Sequence, residues 1–136
     1  MKVEIIKQFS VFMPNRPGAL SSLARLFTDR GINILGLASE VRDDSGVVRI
    51  AVSADADGSA VLSGGGFSSV ETSLLSVEVD DKPGQLYNLA KVLGEGKINI
   101  TTVYGTSASG GTSRILVAVE NVQKARALLE SPARAA

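Results

Sequence analysis

The chain contains no cysteine, no histidine and no tryptophan in 136 residues. The first absence excludes disulfides and thiol nucleophiles, the second removes the commonest general base, and together they exclude any Cys/His metal site. Carboxylates, amides, hydroxyls and Lys/Arg are what remain for chemistry. The carboxylates do not gather either: beyond the neighbouring pairs Asp43-Asp44 and Asp80-Asp81 no acidic cluster has ligand spacing, and Asp in such pairs favours turns through local hydrogen bonds. Four Phe and two Tyr make a poor stacking platform for RNA on an open sheet. An excess of one charge is missing too, since 14 basic and 14 acidic residues cancel and are scattered along the chain, unlike the clustered positive field of a nucleic-acid or anionic-membrane binder. Met1-Lys2-Val3-Glu4 sets charges inside the first apolar run, so neither a signal peptide nor a membrane span is expected. These absences point to a cytoplasmic protein without metal, cofactor, nucleic-acid or membrane partner, working on a small molecule or another protein.

What the chain does have is one unit written twice. Asn15-Arg16-Pro17-Gly18-Ala19-Leu20 recurs as Asp81-Lys82-Pro83-Gly84-Gln85-Leu86, and at that offset of 66 the positions 15–34 and 81–100 share eight identities in twenty. Among them are Leu23/Leu89, Ala24/Ala90, Ile32/Ile98, Asn33/Asn99 and Ile34/Ile100. A period this long is a small domain and not a stacked solenoid unit. We expect units at 1–72 and 73–136, each small enough to be marginal by itself.

Period and punctuation give the plan of each unit. Phe9, Val11 and Met13 alternate as a half-buried strand requires, and Leu75, Val77 and Val79 repeat them. After each Pro-Gly the period becomes helical: Leu20, Leu23, Ala24 and Phe27, then Leu86, Leu89, Ala90 and Leu93. Gly31 is expected to end the first helix with a positive φ, and Gly94 or Gly96 the second. Strands then restart at Asn33 and Asn99, covering 32–41 and 47–54 in one unit and 98–104 and 114–119 in the other. Asn121 is placed to cap a last helix with Val122, Ala125 and Leu129 on its apolar face. The glycines within 55–66 limit the first unit's second helix to one or two turns. Residues 67–73 then form a fourth strand that runs straight into the strand at Leu75, whereas nothing after Glu130 reads as a strand. Neither 63–66 nor 105–111, although rich in glycine, ends in Gly-Lys-Ser/Thr, so both are read as plain loops.

A βαββαβ order with helices on one face implies an antiparallel sheet, the ferredoxin-like α+β architecture. The strand, Asn-Arg-Pro-Gly-Ala-Leu, the amphipathic helix and Gly-Ile-Asn-Ile together resemble the ACT domain, a small-molecule regulatory module attached to many enzymes of amino-acid metabolism. The whole chain resembles a tandem ACT protein, with two ferredoxin-like units and the second lacking its last strand. The resemblance implies a non-enzymatic sensor that holds an amino acid between paired modules. Asn15 lies past the end of strand one, while Asn33 opens strand two, which runs parallel to strand one and so starts at the opposite end of the sheet. A strand of about seven residues spans ~23 Å, so one small ligand cannot touch both. Crossed pairing follows, the Asn15 loop with Asn99 and the Asp81 loop with Asn33. The ligand-binding set is then Asn15, Arg16 and the helix-start backbone of Gly18, Ala19 and Leu20, with Asn99; and Asp81, Lys82, Gly84, Gln85 and Leu86, with Asn33. Asp81 departs from the family's Asn and puts a negative charge in the second loop. A second reading is a regulatory subunit that docks on a metabolic enzyme without binding ligand, similar in role to the small subunits of acetolactate synthase. A hydrolase resembling acylphosphatase would need an Arg/Asn site, of which only Asn15-Arg16 is present. The missing last strand leaves a sheet edge open, and a second copy of the chain is expected to cover it as a homodimer.

Overall fold

The computed structural model describes residues 1–14, 16–42, 45–107 and 111–131. Ten elements follow one another along the chain. They are β1 (Lys2–Pro14), α1 (Ala19–Asp29), β2 (Gly36–Arg42), β3 (Ser45–Val52), α2 (Gly58–Gly64), β4 (Ser69–Asp80), α3 (Gln85–Glu95), β5 (Ile100–Ser107), β6 (Thr112–Val119) and α4 (Val122–Glu130). This is the doubled strand-helix-strand-strand-helix plan, an α+β fold of antiparallel strands. It divides into two compact units, the first Lys7–Thr72 and the second Met1–Ile6 together with Ser73–Ala136.

In the first unit the strands lie in the order β2-β3-β1-β4. β3 pairs antiparallel with β1 from Lys7↔Val52 to Pro14↔Ser45, and with β2 from Gly36↔Ala51 to Arg42↔Ser45. The start of β4 follows β1 on its other side: the Phe12 N–H donates to the Ser68 carbonyl at 3.2 Å, and Gln8 Nε2 donates to Thr72 Oγ1 at 3.4 Å. The alternating residues Phe9, Val11 and Met13 join Val48, Ile50 and Val52 on the face that α1 and α2 cover with Leu23, Phe27, Val61 and Leu62. Phe9 and Phe27 are fully buried, each worth about 1.5–3 kcal/mol of transfer free energy. As its glycines dictate, α2 is short, a seven-residue helix capped by Asp57, whose side chain accepts from the Ala60 N–H.

The second unit has the order β5-β6-β4-β1. Leu75, Val77 and Val79 of β4 and Ile115 and Val117 of β6 form a core with Leu89 and Leu93 of α3 and Ala125 and Leu129 of α4. Asn121 caps α4 as its position suggested, accepting from the Lys124 N–H at 3.0 Å. No strand follows α4 among the described residues. The vacant strand position is filled from the other end of the sequence, because Met1–Ile6 belongs to this unit and Val3 is a member of its core. The edge that a second copy was expected to cover is therefore occupied within the chain, which removes the open-edge argument for a homodimer.

Three further expectations are corrected. The positive φ that ends α3 is carried by Lys97 at 62°, while Gly96, the C-cap, has φ −81° and Gly94 is helical. The 66-residue offset pairs Lys97 with Gly31, whose φ is 68°. Both helices end alike, with Ile32 N–H to Phe27 O and Gly31 N–H to Thr28 O in one, and Ile98 N–H to Leu93 O and Lys97 N–H to Gly94 O in the other, the Schellman pattern. The stripe residues Leu20 and Leu86 are 46% and 55% exposed, and only Leu23, Phe27, Leu89 and Leu93 are buried on those helices. Last, β2 starts at Gly36, later than expected, leaving Asn33 in the irregular run that leads from the helix cap to the strand.

Candidate functional site

The repeated Pro-Gly is a turn before it is anything else. Arg16-Pro17-Gly18-Ala19 closes with the Ala19 N–H donating to the Arg16 carbonyl at 3.3 Å, and Gly18 has φ 84° and ψ −10°. These are the angles of the third position of a type II turn, where a side chain would be strained, and Pro suits the position before it. Gly84 takes φ 95° and ψ −8°, so Lys82-Pro83-Gly84-Gln85 bends the same way. Both turns lead into helices with no side-chain cap. Of the donors assigned to Gly18, Ala19 and Leu20, that of Ala19 is engaged inside the turn; Ser21 Oγ meanwhile donates to the Gly18 carbonyl at 2.9 Å. Asn15 lies outside the described residues.

A cleft of about 110 Å³ opens beside this turn in the first unit. It is lined by Met13 and Pro14 of β1, Gly46 and Val48 of β3, Ser39, Glu40 and Val41 of β2, and Arg16, Ala19 and Leu20 at the turn and helix start; Glu40, paired with Val47, has its side chain on the other face of the sheet from Val41. Register explains the grouping: Met13 lies across from Gly46, and Gly46 from Val41. Gly46 matters because a Cβ there would lie 3.3 Å from the Glu40 carbonyl and 3.4 Å from the Val41 side chain. Arg16, Ala19 and Leu20 were expected at a site and do line this one. Met13, Ser39, Glu40, Val41, Gly46 and Val48 were missed, because only the β2–β3 register brings the far end of that hairpin beside the first turn of α1.

Asn33 does not join them. β2 begins opposite Ala51, which pairs with Gln8, six residues before the end of β1, about 20 Å along a strand. Within one unit the turn and this asparagine thus sit at opposite sheet ends, as their positions in the sequence required. Asn99 is exposed immediately before β5.

The second turn differs from the first in its surroundings. The Asp81 carboxylate accepts from Ser113 Oγ at 3.2 Å, and the Asp81 N–H donates to the Gly111 carbonyl at 3.0 Å. The Lys82 N–H donates to the Asp80 carbonyl, and Leu86 is exposed. Gln85 borders a shallow, more polar depression with Glu78, Asp80, Thr112 and Lys2. Nearby Arg114 donates to Glu78 and to the buried Ser76. Among the described residues no group of three or more acidic side chains is placed to hold a metal ion, and no helix is long and apolar enough to cross a membrane.

Comparison with known proteins fits this geometry. The family model for an ACT domain pair matches residues 4–131. Among solved structures, a protein of Bacteroides thetaiotaomicron superposes with a TM-score of 0.83 at 22% identity, covering 94% of this chain and 88% of that one. The ligand-free regulatory subunit of aspartate kinase from Thermus thermophilus gives 0.71 at 14% identity, covering 96% and 95%. The aspartate kinase of Clostridium acetobutylicum gives 0.63 at 13% identity, with 93% of this chain matching 33% of that one. No curated protein matches the chain in sequence. Two Pro-Gly turns, two ferredoxin-like units and a family match along nearly the whole length place the chain in the ACT domain pair family, as a tandem, non-catalytic regulatory module.

Proposed function

We propose that this chain is a regulatory subunit that docks on an enzyme of amino-acid metabolism. The observation that carries the reading is the match of a regulatory domain pair to residues 4–131. The likeness in fold to the aspartate kinase regulatory subunit, over almost the full length of both chains, supports it. Affinity purification of the tagged chain from its native host, with mass spectrometry of the eluate, is expected to enrich one enzyme of amino-acid biosynthesis in fixed ratio. Recovery of the chain without a stoichiometric partner would sink the proposal.

A second reading, in which the module senses an amino acid itself, is favoured by the cleft beside Arg16. Here the ligand is held at the Pro-Gly turn. Because Asn33 sits at the far end of its own sheet, an asparagine can complete the site only from another module, which a homodimer would supply. A ligand at a hundred times its dissociation constant stabilises the native state by about 2.7 kcal/mol, so a thermal-shift screen of the twenty amino acids is expected to yield at least one clear rise in Tm. Sedimentation velocity at micromolar concentration checks the dimer, and a monomer with ligand present would exclude it.

A further inference from the structure

We infer that the sheet face of the first unit that carries no helix is a self-association surface, on which a second copy of this chain packs face to face. The inference rests on neither reading above. In β1, Phe9, Val11 and Met13 face the helices, so alternation puts Gln8, Ser10 and Phe12 on the other side. Phe12 pairs with Val47 of β3, and Val47 with Glu40 of β2, which makes one row of side chains across the sheet; the next row is Ser10, Arg49 and Ala38. Val70 of β4 belongs to the same face, since Thr72, two residues on, accepts a hydrogen bond from Gln8 Nε2. Phe12 is 54% exposed and Val70 53%, and Val47 is half-buried. All of these residues lie within the first unit. A contiguous apolar row with a phenyl ring in water gains most from an apolar cover.

The second unit shows that the fold does not require an apolar row at this place. At the offset of 66 Phe12 becomes Glu78, and Glu78 pairs with Arg114 as Phe12 pairs with Val47. Arg114 donates to Glu78 at 3.3 Å and to Ser76 at 3.4 Å. That row is closed on itself and suited to water, and covering such an ion pair is costly. The association therefore belongs to the first unit.

Shape and charge both select a second copy as the occupant. A sheet without helices presents a broad, shallow surface, and what matches it best is another sheet face, packed about 10 Å away with interleaved side chains. The apolar row is bordered by one cation and one anion, Arg49 and Glu40, so it meets its own copy about a twofold axis without an excess of either sign. Within the chain the Arg49 guanidinium stands 3.9 Å from Glu40, beyond hydrogen-bonding distance. Across the twofold axis it can donate to the Glu40 of the other copy, since a carboxylate offers about four acceptor sites.

The test is sedimentation velocity of the full chain, without added amino acid, from low micromolar to several hundred micromolar concentration. A monomer–dimer equilibrium is expected within that range. The double variant Phe12→Glu, Val47→Arg copies the pair that the second unit holds at these positions, so the fold already accepts it. Its circular dichroism is expected to match the parent's while its dimer dissociates at least tenfold more readily. Val70→Ser, on the neighbouring strand, is expected to weaken the dimer in the same direction. Arg49→Glu and Glu40→Arg should each weaken it alone and restore it when the two variants are mixed, which a role in folding would not do. A chain that stays monomeric throughout, a double variant that associates like the parent, or a charge-swapped mixture no tighter than its components would each overturn the inference. Because no ligand is present, every one of these outcomes leaves both functional readings standing.

Discussion

Lys97 holds its backbone at φ 62°, a region that a residue with a Cβ enters at a cost of about 1–2 kcal/mol. Gly31 does the same job at the equivalent helix end without that cost. Replacing Lys97 by glycine should therefore stabilise the chain by ~0.5–1 kcal/mol, once the extra freedom of the unfolded glycine is subtracted. Urea denaturation of Lys97→Gly against the parent checks this, and a loss of stability would mean the side chain makes a contact worth more than the strain. Gly58 is the converse case. A methyl group there would approach the Phe9 ring to 2.5 Å, and Phe9 is fully buried. Gly58→Ala is expected to cost about 1–3 kcal/mol by overpacking, despite the better helix propensity of alanine. Neither position was legible in the sequence. Gly94 and Gly96 looked like better helix stops than Lys97, because propensity reports which residue tolerates a conformation and not where the hydrogen-bond pattern places it. At the candidate site the sequence pointed to Arg16, Ala19 and Leu20 through the Pro-Gly signal. Gly46 and Val48, about thirty residues further along the chain, carried no signal of their own.

At the scale of elements, periodicity was a good guide wherever one face is buried. The strand residues Phe9, Val11 and Met13, the helix residues Leu23 and Phe27, and the Asn121 cap all stand where alternation, the 3.6-residue period and capping chemistry put them. Its errors lie at element ends. Leu20 and Leu86 keep the helical spacing yet remain exposed, since spacing says which face a residue takes and not how fully the neighbouring elements cover that face. The first residues of β1 show the same limit in another form. Val3 has the composition of a first-unit strand residue but is 7% exposed in the core of the second. Val3→Ala should cost about 1–2 kcal/mol. Hydrogen exchange should place the loss of protection on β4, α3 and α4, and not on α1 and β3. Lost protection confined to α1 and β3 would contradict the assignment of Met1–Ile6.

For the whole molecule, the repeat suggests a cut between residues 72 and 73, and the compact units do divide there, with Met1–Ile6 going to the second. β4 runs unbroken through that point, and Met1–Ile6 counts among the residues of the second unit. A fragment of residues 73–136 lacks one strand of its sheet and is expected to be unfolded, without dispersed amide resonances. A fragment of residues 1–72 holds every strand and helix of its own unit and is expected to be structured but marginal, as a domain of about 65 residues usually is. A well-dispersed spectrum from residues 73–136 alone would show that the amino-terminal strand is dispensable there. Internal symmetry reveals how often a unit was copied; it does not reveal which copy a terminal strand joins, because that depends on pairing partners far apart in sequence.

The same strand also sets an order of events in time. β1 is synthesised well before its partner: the neighbour of its opening residues in the second unit is β4, whose last residues are made more than seventy positions later. At a synthesis rate of about 5–20 residues per second, those opening residues wait roughly 4–15 s before their partner exists. During that interval the amides of Met1–Ile6 lack the strand neighbour they take in the second unit. Lys2 and Glu4, whose side chains stay 66% and 52% exposed in the folded chain, are charges of the kind that discourages an unpaired strand from joining a wrong edge.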